Sequence, residues 1–148
     1  MTLLKPAQWV LALLFAVAAS QAAARECAPA MKDGWVRLPP AAMPMMAGFG
    51  RIANPCPTPV VIVSASSPAF GEVSLHESRV VDGVNRMREL EQLRIVPDGD
   101  ATFKPGGMHL MLMQPHAPLK EGSKVVVVFK LLDGRELLSE LVVRKAAP

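Results

Sequence analysis

The segment Met108-His109-Leu110-Met111-Leu112-Met113 places an imidazole and several thioethers at alternating positions. Read as a strand, it turns His109, Met111 and Met113 to one face and Met108, Leu110 and Leu112 to the other, because successive strand side chains point to opposite sides. Imidazole and thioether are neutral donors of the soft kind, a set suited to Cu(I). The same letters also describe a core strand filled by adaptable methionines and one hydrogen-bonded histidine. This segment alone leaves both readings open.

A second His/Met pair lies upstream. Asp82-Gly83 is a two-residue hairpin signal, and it separates Gly71–Val81 (GEVSLHESRVV) from Val84–Leu90 (VNRMREL). Pairing Val81 with Val84 sets Ser78 opposite Met87 and His76 opposite Glu89. His76 and Met87 then become diagonal neighbours on one face, about 7–8 Å apart at Cα. A slip of one residue would send them to opposite faces. Two same-face pairs, His76 with Met87 and His109 with Met111, together offer two nitrogens and two sulfurs. The set lacks the thiolate of a blue-copper centre and the carboxylates that suit Ca²⁺, Mg²⁺ or non-haem iron. Zinc prefers Cys, His and carboxylate. Thioethers survive an oxidising compartment without forming disulfides, although they can oxidise to sulfoxide. No Ser/His/Asp, Cys/His or paired-carboxylate arrangement is positioned for catalysis, and an enzyme is not expected.

Ten strand-like segments must position these residues. They are Gly34–Leu38, Ala47–Ala53, Pro59–Ser64, Gly71–Val81, Val84–Leu90, Gln92–Val96, Ala101–Lys104, the Met-rich segment from Gly106 to Met113, Lys124–Leu131 and Glu136–Arg144. Pro, Gly, Asn and Asp separate them, and a period of 3.6 is hard to find after Ala24. The pattern is that of an all-β sandwich or barrel. The near-continuous run PVVIVS reads as a strand buried on both faces or central in a sheet. Ala41–Met46 (AAMPMM) reads as a loop whose Met43, Met45 and Met46 pack beside Pro44; the functional alternative is a docking or secondary copper surface.

Before this domain comes an export signal. Lys5 is the only charge ahead of Arg25, an apolar run follows, and small residues close it. This is the three-part secretory pattern, too short for a comfortable membrane span. Residues 1–24 are the expected signal, cleaved after Ala24 or alternatively Ala22, and residues 25–148 the expected domain. Arg25 and Glu26 precede Cys27 where a lipoprotein signal would need small residues, so lipidation is not expected. Cys27 and Cys56 are an even count in an exported chain and are expected to pair, worth about 3–4 kcal/mol by chain entropy. Neither lies near the His/Met segments. Lys and Arg outnumber Asp and Glu only 16 to 13 and are scattered, with 5% aromatics, so no nucleic-acid surface is expected.

The spacing is His76, ten residues, Met87, twenty-one residues, then His109-Leu110-Met111. It resembles the H(M)X10MX21HXM pattern of the periplasmic PCu(A)C copper chaperone family. VSLHES, VDGVNRMREL and KPGGMHLMLMQP are also similar to the family, and the likeness runs from Gly34 to Val143. The resemblance implies a cupredoxin-like Greek-key β-sandwich or barrel and one Cu(I) held by His76, Met87, His109 and Met111. It further implies a monomer in the periplasm that delivers copper to a respiratory oxidase subunit or another copper chaperone. Copper sequestration for resistance and a metal-free β-sandwich interaction module are the alternatives. Glu77 stands where the pattern's optional Met would fall. The sequence stops soon after Val143 with no His/Met-rich tail, so tail-assisted Cu(II) binding is not expected. Met113 shares the ligand face as a packing residue or outer contact, and His116 is expected in solvent. Copper binding is expected to weaken below about pH 6.5, since protonated imidazole cannot ligate.

Overall fold

A chain of short strands leaves unpaired edges unless the sheet closes on itself. The computed structural model, which describes residues 27–146, shows such closure. Its strands are β1 (Ala30–Leu38), β2 (Met45–Asn54), β3 (Val60–Ser66), β4 (Phe70–Val81), β5 (Val84–Glu89), β6 (Leu93–Ile95), β7 (Gly99–Phe103), β8 (Met108–Pro115), β9 (Lys124–Leu131) and β10 (Glu136–Lys145). There is no helix among the described residues, hence none long and apolar enough to cross a membrane. The expected export signal lies outside the described residues.

Hydrogen bonding runs β4-β8-β7-β2-β1-β10-β9-β3, and the Ala65↔Val73 pair returns β3 to β4. The result is the expected all-β barrel, with eight strands in the ring. β8 also pairs with β2 directly, beyond the reach of β7. β5 and β6 hang outside, paired only with β4 and β3 respectively. β1–β10 is parallel, as is the single Phe103↔Met108 pair between β7 and β8; the other ladders are antiparallel.

The core is the inside of this ring. Leu110 and Leu112 of β8 meet Val125, Val127 and Phe129 of β9 and Leu141 and Val143 of β10, all fully buried. The four consecutive valines of β9 therefore alternate, with Val126 turned outward. Val60 and Ile62 of β3 are buried while Val61 and Val63 are only half-buried. Of the two readings of that run the second holds: β3 is paired on both sides within the sheet, but it is not buried on both faces, because a closed barrel has one inside. Gly48 sits where β2 approaches β8 closely; a Cβ there would come within 3.1 Å of Leu110 Cβ.

Several strand boundaries differ from expectation by a few residues, two of them for identifiable local reasons. β1 begins four residues early because Asp33, with φ 51°, marks a bulge that shifts the register between Lys32 and Trp35. β2 begins at Met45, so Met45 and Met46 belong to a strand rather than a loop. Gln114 donates its N–H to Pro44 O at 2.8 Å, and the ladder starts at once with Met45↔Met113.

Cys27 and Cys56 form the expected disulfide, with Cα atoms 5.5 Å apart. The turn that carries Cys56 is built around Asn54, which is fully buried. The Asn54 amide donates to Thr58 O, Ile95 O and Val96 O, and its Oδ1 accepts the Cys56 N–H.

Candidate functional site

The Asp82-Gly83 turn has both φ values positive, 52° and 74°, as a tight twisted hairpin requires. Only glycine and, less readily, aspartate or asparagine adopt such angles cheaply. The turn fixes the expected register: Val81↔Val84, Ser78↔Met87 and His76↔Glu89. On its other side β4 pairs with β8, which sets His76 directly opposite His109 and Ser74 opposite Met111. His76 is thus the hub. His109 faces it across one ladder, and Met111 and Met87 occupy its two diagonals. Directly opposed residues have Cα atoms about 4.5–5.5 Å apart, diagonal ones about 7–8 Å. All four residues singled out by sequence lie on the outer face of β5, β4 and β8, and the two imidazole centroids are 5.9 Å apart.

Each ring is oriented by a residue two positions before it. His109 is buried and its Nδ1–H donates to Gly107 O at 3.0 Å. A carbonyl can only accept, so in the neutral ring Nε2 carries the free lone pair. His76 shares a 3.0 Å hydrogen bond between Nε2 and Ser74 Oγ. Its Nδ1 is buried with no partner. A buried polar atom without a partner costs about 1–3 kcal/mol, and a soft cation would satisfy it. Met111 is half-buried, whereas Met87 on the outer strand β5 is 54% exposed. Trp35 and Phe49 stack at 4.7 Å on the outside of the neighbouring β1–β2 pair.

Ser74 is a positioning residue that the sequence reading missed, as is Gly107. Both stand at i−2 from a histidine, a spacing that puts Ser74 on the histidine's own face. Ser74→Ala frees the His76 ring and is expected to weaken Cu(I) affinity by about 10–100-fold, while the fold loses only the contribution of one hydrogen bond, about 1 kcal/mol. Competition against a Cu(I) chelator measures it; an unchanged affinity would mean that packing alone orients the ring.

The opposite side of the hairpin is stapled by charge. Glu77 accepts from Arg79 Nη2 at 2.9 Å and from Arg88 Nη2 at 2.9 Å. These hydrogen bonds, Arg79 first and then Arg88, hold the Glu77 carboxyl below the usual carboxylate range. A depressed carboxylate stabilises the fold above its unfolded pKa, and that contribution is lost as pH falls through the folded value. The β4–β5 ladder should therefore loosen only in acid, below the ordinary carboxylate range. Amide exchange across Glu77 and Arg88 should show this, and Glu77→Gln should remove the acid-dependent step.

Other sequence candidates stay outside the cluster. His116 is exposed and its Nδ1 donates to Pro68 O at 3.1 Å. Met108 packs against the core. Both cysteine sulfurs are in the disulfide. Among the described residues, no group of three or more His, Cys, Asp or Glu is placed to hold a metal ion. The register sets two imidazoles and two thioether side chains at neighbouring positions of one face.

A family model described as "Putative lipoprotein LpqE-like" matches residues 30–143. The chain belongs to this LpqE-like family, the PCu(A)C family. Among solved PCu(A)C structures, the Cu(I) form of DR1885 from Deinococcus radiodurans is 28% identical to the chain, with 86% of each chain covered and a TM-score of 0.63. The apo PCuAC domain of PmoF1 is 17% identical, with 78% of this chain and 92% of that one covered and a TM-score of 0.64, a likeness of fold alone. The fold is accordingly cupredoxin-like. Among curated relatives, "Putative lipoprotein Lxx21020" of Leifsonia xyli subsp. xyli (strain CTCB07) is 35% identical over 105 residues, 70% of this chain and 62% of the relative. "Uncharacterized protein RP573" of Rickettsia prowazekii (strain Madrid E) is 26% identical over 88 residues, 59% of this chain and 49% of the relative. The chain spans less than two thirds of the length of either.

Proposed function

We propose that this PCu(A)C chain is a periplasmic copper chaperone. Residues 1–24 export it, and the domain of residues 25–148 carries one Cu(I) on His76, Met87, His109 and Met111 as cargo for a copper-recipient protein, an oxidase copper centre or another chaperone. The observation that carries the reading is the joint register of β4 with its two neighbours: β8 sets His109 opposite His76 and Met111 on one diagonal, and β5 sets Met87 on the other. The Cu(I)-bound relative from Deinococcus radiodurans supports the same cargo. The donor set is neutral and soft, which favours Cu(I) over harder ions. The exposed Met87 gives a recipient's ligand a side from which to approach. Transfer is then an exchange of ligands in which the copper stays monovalent. Export without a lipid fits the chemistry of Cys27, because a sulfur bonded to Cys56 cannot also hold a lipid thioether.

X-ray absorption of the Cu(I)-loaded mature protein tests the site. Two nitrogen and two sulfur neighbours are expected around one copper; a shell of nitrogen and oxygen alone would overturn it. For delivery, a deletion strain should lose copper from its oxidase. Full oxidase copper together with copper sensitivity would mark storage instead.

A further inference from the structure

The thioether face does not stop at the four ligands. Along β8 the outward positions are His109, Met111 and Met113, and the β2 and β4 ladders place partners beside each. Met113 stands between Met45 of β2 and Glu72 of β4; Met111 stands between Ala47 and Ser74. Met45 is 40% exposed, whereas Met46, one residue on, points inward and is buried. Met43, on the approach to β2, is 48% exposed. On the outer face of β9 and β10, by contrast, charged Lys124, Lys130, Glu136 and Glu140 are interspersed with Val126, Val128, Leu138 and Val142, and no thioether stands among them. Isolated apolar residues on a surface need no explanation. Here, however, a directly opposed Met pair adjoins a third methionine two residues along the same strand.

We infer that Met45 and Met113, with Met111 as a shared third sulfur, form a second, thioether-only site for a soft monovalent d¹⁰ cation, beside the His/Met centre. Opposed strand residues have Cα atoms about 4.5–5.5 Å apart, and methionine's three side-chain torsions let two such sulfurs converge on one ion. Three thioethers without imidazole make a softer and weaker set than two imidazoles and two thioethers. Ala47 leaves room over Met111 on the side facing β2. The carboxylate of Glu72 adds a negative charge beside the row and attracts a cation without ligating it. An ion on Met45, Met113 and Met111 moves toward His109 by exchanging one metal–sulfur bond for one metal–nitrogen bond, with Met111 kept as a ligand. No electron or proton is transferred. The inference rests on the four-ligand reading for the ion's destination; Met111 is common to both sites, and Met45 and Met113 belong to the second alone.

The test is a titration of the mature protein, labelled with ¹³C at the methionine methyls, with Ag(I) as a redox-inert stand-in for Cu(I). The expected result is two equivalents bound: one shifts Met87, Met111 and the imidazole signals, and the other shifts Met45 and Met113. The double variant Met45→Leu, Met113→Leu keeps shape and apolarity and should lose the second equivalent while retaining the first. A single equivalent that leaves the Met45 and Met113 methyls unmoved overturns this inference and leaves the four-ligand site standing. Binding at Met45 and Met113 with His76 and His109 untouched supports the second site and overturns the four-ligand reading. Two equivalents retained by the leucine variant overturn the second site, because the sulfurs assigned to it are then unnecessary.

Discussion

Replacing Met87 and Met111 together by alanine lowers Cu(I) affinity by more than about 100-fold while the protein stays folded. Partners that only orient a metal ligand are worth about 10–100-fold, so loss of two ligands must exceed that range. The folding side is mild. Met87 is exposed on β5, Met111 is only half-buried on the outside of β8, and neither belongs to the core. The imidazoles of His76 and His109 remain hydrogen-bonded to Ser74 and Gly107, so the variant keeps its frame and loses only its sulfurs. Competition with a Cu(I) chelator under reductant measures the affinity, and a thermal melt of the same sample checks the fold. An affinity equal to that of the parent would remove the thioethers from the site and the site from this protein.

The second large effect falls on stability. The bond between Cys27 and Cys56 closes a sequence separation of 29 residues, for which chain entropy gives about 3–4 kcal/mol. Changing both cysteines to serine should lower the unfolding free energy by that amount in a denaturant titration. Cu(I) affinity should not change, because neither cysteine lies on β4, β5 or β8. The bond also joins two otherwise separate anchors: Arg135 Nη1 donates to Cys27 O at 3.1 Å, and Asn54 organises the turn bearing Cys56. A loss below about 1 kcal/mol would mean that these hydrogen bonds already hold the amino-terminal segment against the barrel.

The hairpin half of the site was legible in the letters because a two-residue turn dictates register locally. Once Asp82-Gly83 is accepted, Ser78 must face Met87. The alternation of β8 was legible for the same reason, since Leu110 and Leu112 declare the inside. The opposition of His76 and His109 is a different kind of fact. Those residues are 33 positions apart, and β5, β6 and β7 intervene in sequence without intervening in space. No local propensity encodes a non-local ladder, and only the family-like spacing implied that the two pairs meet. Bulges defeat pattern reading in another way. At Asp33 one strand carries a register shift that breaks the period of two, and Ala30–Lys32 consequently went unread as strand. Met45 and Met46 were misread because Pro44 suggested a loop, whereas the loop ends there and the β2–β8 ladder begins at the next residue. PVVIVS shows the limit of composition, since β-branched residues fill half-exposed strand positions as readily as buried ones.

β5 is bound to the molecule along one side only. His109 and Met111 ride on β8, which is held between neighbours in a closed ring, while Met87 rides on a six-residue strand whose far edge is free. Local opening in proteins ranges from nearly free at frayed edges to the full unfolding energy in cores. The four proposed ligands therefore sit at two mechanical grades. Peeling β5 from β4 withdraws one sulfur and breaks no bond of the barrel, and the same free edge offers an incoming strand a row of unpaired amides and carbonyls. On the proposed four-ligand reading, a carrier built this way would retain its load on the stiff half and surrender it through the compliant one.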